Sequence, residues 1–203
     1  MTNTEFPRGA DIATFHDHCV HTERWAQDAP VQFASGVWRF IELNHRHNSL
    51  LWAEEDQARR KNVPDSEIAA NKRAIDRNNQ ARNDAIEKID EVLLTELADV
   101  VLQADAWLNS ETAGSMVDRI SVQSLKIYHM NLQTQRTDAD AAHREACTQK
   151  VARLKEQRGD LAECFDRLLT QTREGTAYFK VYRQFKMYND PTLNPYLYSS
   201  KSS

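Results

Sequence analysis

The stretch Asn44 to Arg59, NHRHNSLLWAEEDQAR, gathers side chains that can move protons, hold anions and hydrogen-bond hydroxyl groups. At 100° per residue, His45, Asn48, Trp52, Glu55, Asp56 and Arg59 fall within about a third of a helix circumference. They form one stripe. Val37, Trp38 and Ile41 extend it toward the N-terminus, so the stripe begins apolar and ends polar, and it is expected to point inward throughout. An unperturbed imidazole titrates near neutrality, which makes His45 the candidate for proton transfer. Glu55 and Asp56 could act as bases or bind a cation, and Arg59 could hold an anionic group.

The element carrying these residues reads as a central helix. Phe40, Leu43, His47, Leu50 and Leu51 cover an adjoining apolar face. Only the arc with Arg39, Glu42, Arg46, Gln57 and Arg60 is expected to face solvent, with Glu42 and Arg46 as an i,i+4 pair. His45 and His47 lie about 200° apart on a helix and cannot chelate one ion together. His47 reads as a packed histidine with one satisfied nitrogen. For the polar set itself two readings stand side by side. One is a ligand or catalytic site; the other is a buried hydrogen-bonded network that sets helix register.

The 203 residues contain five glycines and five prolines and carry a net charge of −4. That composition suits one domain, 1–198, of long helices with short connections, followed by a disordered tail at 199–203. The charge leaves no electrostatic footprint for nucleic acid or an anionic membrane. Cys19, Cys147 and Cys164 have no C-x-x-C spacing, so neither a disulfide framework nor a zinc ribbon is indicated and a cytoplasmic protein is expected. The N-terminal residues lack a basic, then apolar export signal, and no apolar run reaches membrane-spanning length.

In chain order, a first helix is expected over about Asp11 to Gln27. It includes FHDHCVH, where His18 shares a face with His21, as Asp17 does, an arrangement compatible with transition-metal ligation. The plainer reading is a half-exposed helix rich in histidine. Pro30 suits the first turn of a second helix running to about Lys61. Asp65 or Ser66 would cap a third, about Glu67 to Trp107, whose stripe holds Ile75, Asn79, Arg82, Asn83, Ile86, Ile89, Asp90, Leu93, Leu97, Val100 and Ala104. The short link forces an antiparallel hairpin in which facing residue numbers total about 128. His45 then lies opposite Asn83, and Ser49 opposite Asn79.

Ser110 or Thr112 would cap a fourth helix, with Asp118, Val122, Leu125, His129 and Leu132 on one stripe, and the N–H groups around Gly114 could hold an anion. A fifth is expected over Asp138 to Thr172, with Gly159 marking a kink or break. A shorter aromatic helix, Tyr178 to Tyr188, and an extended strap, NDPTLNPYLY, complete the chain. The architecture is an all-α antiparallel bundle of about five long helices. Its polar site lies where helices two, three and four meet. His45, Glu55, Asp56 and Asp118 are its candidate catalytic groups. Asn48, Trp52, Arg59, Asn79, Arg82, Asn83 and Arg119 are its candidate ligand contacts.

Three blocks, Asn44 to Arg59, Asn79 to Asp90 and Leu108 to Met130, with the closing KMYNDPTLNPYLY, resemble the bacterial family termed domain of unknown function 4254. Proline commonly follows the threonine of the third block in that family, whereas this chain has Ala113. The resemblance implies an association with gene neighbourhoods for lipopolysaccharide core and surface-glycan assembly, and hence glycan-assembly enzymes as partners, but no assigned reaction. Three functions stay open. One is an accessory protein binding a sugar, phosphate or nucleotide-sugar group. Another is an Mg²⁺-dependent enzyme resembling all-helical nucleotide pyrophosphohydrolases, with carboxylates from Glu54, Glu55, Asp56, Glu87, Asp90, Glu96 or Asp99. The third is a structural or partner-binding protein without a catalytic site.

Overall fold

Helix-favouring residues at i, i+3 and i+4 spacing, with few breakers, leave the backbone little alternative to long helices. A computed structural model describes residues 6–185, 187 and 190–198 and has that architecture. In order it contains α1 (Gly9–His21), α2 (Trp25–Asp28), α3 (Gly36–Gln57), α4 (Asp65–Glu96), β1 (Trp107–Leu108), α5 (Ala113–Thr134), α6 (Ala141–Arg173), β2 (Ala177–Tyr178) and α7 (Pro195–Tyr198). It is a helical bundle. Among the described residues no helix is long and apolar enough to cross a membrane.

The α3–α4 hairpin packs in the register its short link dictates. His47 Nδ1 meets Asn78 Oδ1 at 3.1 Å, Asn71 Nδ2 donates to Glu54 at 2.7 Å, and Arg60 pairs with Glu67 at 3.2 Å. Each pair lies within about three residues of the total of 128 set by equal helical rise. A second hairpin, α5 and α6, lies beside the first, and α1 packs on both of its helices. Ile12, Ile41, Ile89, Leu93, Val117, Ile120 and Phe165, all fully buried, bring five helices to one core.

Several boundaries differ from those expected. The first helix stops at His21, and Arg24 adopts a left-handed conformation (φ 53°) before the single turn of α2. Pro30 does not start α3, which begins at Gly36. The reason is Glu42, expected on the solvent arc but fully buried. Its carboxylate accepts the N–H groups of Gln32 (2.9 Å) and Phe33 (3.0 Å), holding that segment as a loop. The expected Glu42–Arg46 pair forms at 3.3 Å, inside the fold.

Helix α4 ends at Glu96, so Val100 and Ala104 belong to a loop and Val101 is exposed. The loop leads into β1, which pairs in parallel with β2, Trp107 beside Ala177 and Leu108 beside Tyr178. Tyr178 is therefore strand, not the start of a helix, and residues through 185 have no helix. Two residues per strand are too few for the alternation that betrays a strand in sequence. Gly159 breaks nothing; α6 runs through it. The closing prolines allow the turn of α7, whose Tyr196 is exposed rather than strapped to the bundle. The expected tail at 199–203 lies outside the described residues, as does Tyr188.

Gly114 shows why α5 starts where it does. Its N–H donates to the buried Asp90 carboxylate at 2.6 Å, and a Cβ there would strike the carbonyl of Ile86. Thr112 supplies the cap, accepting from the Ser115 N–H at 3.1 Å. The anion expected at this helix start is thus the protein's own aspartate.

Candidate functional site

The amphipathic phases of α3, α4 and α5 coincide around one open cleft of about 370 Å³. Helix α3 contributes Asn48, Trp52, Glu55 and Asp56 to its walls, the turn after it contributes Arg59, α4 contributes Asn79 and Arg82, and Ile75, Val122 and Leu125 are among its apolar walls. Seven of the eleven candidate residues therefore line a single cleft. The α3 stripe is buried only at its start. His45 and Asn48 are buried, the Glu55 side chain is 46% exposed, and Asp56 and Arg59 face solvent. A charged side chain on a stripe ending at the bundle surface keeps its hydration, which removes the cost of burial.

Behind the cleft lies a buried hydrogen-bond network. Asp118 Oδ1 accepts from Asn44 Nδ2 and from Asn48 Nδ2, both at 2.9 Å, and the Asn48 amide also reaches Ser121 Oγ at 3.0 Å. Ser121 Oγ in turn lies 2.8 Å from His45 Nδ1. Arg82 does not pair with Glu55 or Asp56. Its Nε sits 3.6 Å from Asp118 Oδ1, close enough for an ion pair and too far for a hydrogen bond. Glu55 instead pairs with Arg59 one turn away at 2.9 Å. The carboxylate of Asp56 makes no hydrogen bond or ion pair among the described residues.

His45 sits below this network and is fully buried. Burial holds its pKa down to about 3, only partly offset by the His16 backbone, so the ring is neutral at physiological pH. His45 stands behind the cleft and not on its walls. His16 lies against it, also buried and pushed well below its ordinary range by burial, by His45 and by Arg158. Asn83 is buried beside Arg82, whose Nη2 lies 3.5 Å from its Oδ1. Arg119 is not in the cleft. It extends to solvent and pairs with Glu111 at 2.5 Å.

A second cavity of about 300 Å³ opens on the other side of Trp52, between α1, α2, α3 and α5. Trp25, Tyr128 and His129 are among its walls, and it shares Trp52, Asp56 and Leu125 with the polar cleft. Trp52 stacks on His129 with ring centroids 4.5 Å apart and an interplanar angle of 7°. Burial lowers the pKa of His129, and the nearby Asp56 carboxylate opposes that shift.

The carboxylates considered for Mg²⁺ are dispersed. Glu54 accepts from Asn71, Glu55 pairs with Arg59, Glu87 pairs with Arg183 at 2.7 Å, and Asp90 is committed to Gly114. Among the described residues no three His, Cys, Asp or Glu side chains converge as a metal site. The FHDHCVH cluster also diverges. His16 turns into the core, Asp17 pairs with Arg158 at 2.5 Å, and His18 and His21 are exposed.

The family model described as Protein of unknown function (DUF4254) matches residues 38–181. The chain belongs to that family. No curated protein matches it, and no solved structure does. The DUF4254 span contains every residue of the polar cleft and of the network behind it, whereas α1 and α2, which close the aromatic cavity, precede it.

Within the DUF4254 span, sequence reasoning left Asn44 and Ser121 out of the site, although each carries a signal. Asn44 stands one helical turn before Asn48, and Ser121 stands three residues after Asp118, so each shares a face with a chosen residue. Outside that span, His16 was hidden inside a histidine cluster whose other members face water.

Proposed function

We propose that this chain is a small-ligand-binding accessory protein of surface-glycan assembly, and that the α3–α4–α5 cleft takes a phosphorylated sugar or nucleotide sugar. One observation carries the reading. Helices α3 and α4 bring polar side chains, and α5 apolar ones, to one open cleft, where the Arg82 guanidinium, 3.6 Å from Asp118, shares the walls with Trp52 and the amides of Asn48 and Asn79. Sugars are bound by an apolar ring face together with amide and carboxylate groups that exchange hydrogen bonds with hydroxyls. Arginine recognises phosphate through paired N–H donors. The Asp56 carboxylate adds an acceptor at the rim. The glycan context follows from the family resemblance, and the cleft chemistry agrees with it.

A calorimetric titration panel of sugar phosphates and nucleotide sugars tests the reading. Saturable binding to the native chain, lost in Arg82→Gln and in Asp56→Asn while both variants keep their thermal midpoint, is the expected result. No response from any compound sinks it. Variants that lose stability but keep cellular function would favour a network serving only helix register.

A further inference from the structure

The polar cleft and the aromatic cavity share one wall made by Trp52, Asp56 and Leu125. We infer that the two form one bipartite site for a nucleoside diphosphate sugar, with the base in the aromatic cavity, the ribose at Asp56 and the phosphates beside Arg82. The inference rests on the ligand-binding reading above and names the ligand class it would take.

The order of chemistry across the wall matches the order of groups in such a ligand. On the aromatic side, Tyr128 offers ring surface for stacking on a planar heterocycle, and Ser49 and Gln27 can hydrogen-bond its edge. On the other side, Arg59 and Arg82 meet phosphate. Between them Asp56 lines both cavities, and its carboxylate makes no hydrogen bond or ion pair among the described residues. A carboxylate repels phosphate but accepts two hydrogen bonds from a vicinal diol, as acidic residues do for ribose in dinucleotide folds. Its place at the division between the lobes therefore suits a ribose. Cavities of about 300 and 370 Å³ are each of ligand-lobe size, and Tyr128 lines only the first whereas Arg59 and Arg82 line only the second.

The backbone supplies an independent sign. Arg24, at the rim of the aromatic cavity, is the one non-glycine among the described residues with positive φ, at 53°. Such conformations persist where surrounding structure holds them, and they concentrate at binding sites. Here the strained turn joins α1 to α2 and shapes the outer lip of the cavity.

The test compares uridine diphosphate and adenosine diphosphate sugars with the corresponding sugar 1-phosphates by calorimetry, using native chain, Arg82→Gln, Tyr128→Leu and Ala53→Phe. Of the two cavities Ala53 lines only the aromatic one, whereas Arg59 and Arg82 line only the other, so a phenylalanine at position 53 fills the first. At least one nucleotide sugar is expected to bind about tenfold or more tightly than its sugar phosphate, the worth of one stacked base. Tyr128→Leu and Ala53→Phe should erase that difference in folded protein and leave sugar phosphate binding intact. Arg82→Gln should weaken both ligands. Equal affinity of both ligand classes, sensitive to Arg82→Gln, overturns the bipartite site and leaves the simpler reading standing. A nucleotide preference that survives both cavity variants also overturns it. Failure of every compound to bind removes the ligand-binding reading itself.

Discussion

His16 and His45 stack 4.1 Å apart between ring centroids, at an interplanar angle of 21°, with both residues fully buried. Two imidazoles in that contact cannot both carry charge without strong repulsion in a medium of low polarity. Around them, Trp25 tilts against His45 at 5.5 Å, Ser121 holds the His45 Nδ1, and Arg158 stands near His16, paired with Asp17 and donating to Ser124 at 2.8 Å. Among the described residues neither ring nitrogen of His16 has a hydrogen-bond partner. The pair is neutral, and it joins α1 to α3.

This pair makes the fold sensitive to acid. Folded His45 has a pKa of about 3 against an ordinary value of 6.5, so between those values the unfolded chain binds the extra proton. Stability therefore falls as pH drops from 6.5 toward 3, by up to about 1.4 kcal/mol per pH unit for each such group. His16 acts in the same direction. Asp90 opposes them, because burial raises its pKa to about 6 from 3.8 and its contribution grows on acidification over that window. Two groups outweigh one. Urea unfolding at pH 7.5, 6 and 5 should show a decline, and His16→Phe, which keeps the ring contact and removes a titrating group, should flatten it. Equal slopes in both proteins would refute the assignment.

Gly114→Ala is expected to cost roughly 2 kcal/mol or more, since the new methyl meets the Ile86 carbonyl and the Asp90 carboxylate across a tight α4–α5 crossing. Asp90→Ala should cost about 1–3 kcal/mol by leaving the Gly114 N–H unpaired, and Asp90→Asn less, because its carbonyl oxygen can still accept. Thermal midpoints of the three variants check the order.

Glu42→Ala should be among the most damaging single changes, at about 3–5 kcal/mol. It strands the Gln32 and Phe33 N–H groups and leaves Arg46 without its carboxylate inside the protein. Arg46 also donates to the carbonyls of Ala26 (3.1 Å) and Ala29 (2.9 Å), so α2 should loosen with it. Faster amide hydrogen exchange confined at first to residues 25–35 is the expected signature.

Gly159→Ala should stabilise the chain by about 0.5–1 kcal/mol. The position lies inside α6, and a Cβ there meets no atom of the described residues within 4 Å, so only the helical gain of alanine remains. An unchanged or lowered denaturation midpoint would show that the glycine has a role in this helix beyond its backbone.

The sequence by itself determined the helical class, the α3–α4 hairpin and the one stripe that feeds the cleft. These depend on quantities local to the chain. Periodicity sets which residues share a face, and a short link sets register through equal rise, which is why His47 meets Asn78 and Asn79 joins Asn48 at the cleft. Only tertiary structure decided which charges are buried and whom they meet. Glu42 and Glu55 are both charged residues of α3, yet one is buried beneath a loop and the other is half-exposed, because a helix's surroundings depend on the segments packed against it. The partner of Arg82 turned on how α5 crosses α4, and the His16–His45 contact on where α1 docks. Helix ends at Gly36 and Glu96 were likewise set by Glu42 reaching over ten residues and by strand pairing across the chain, contacts that leave no periodic trace.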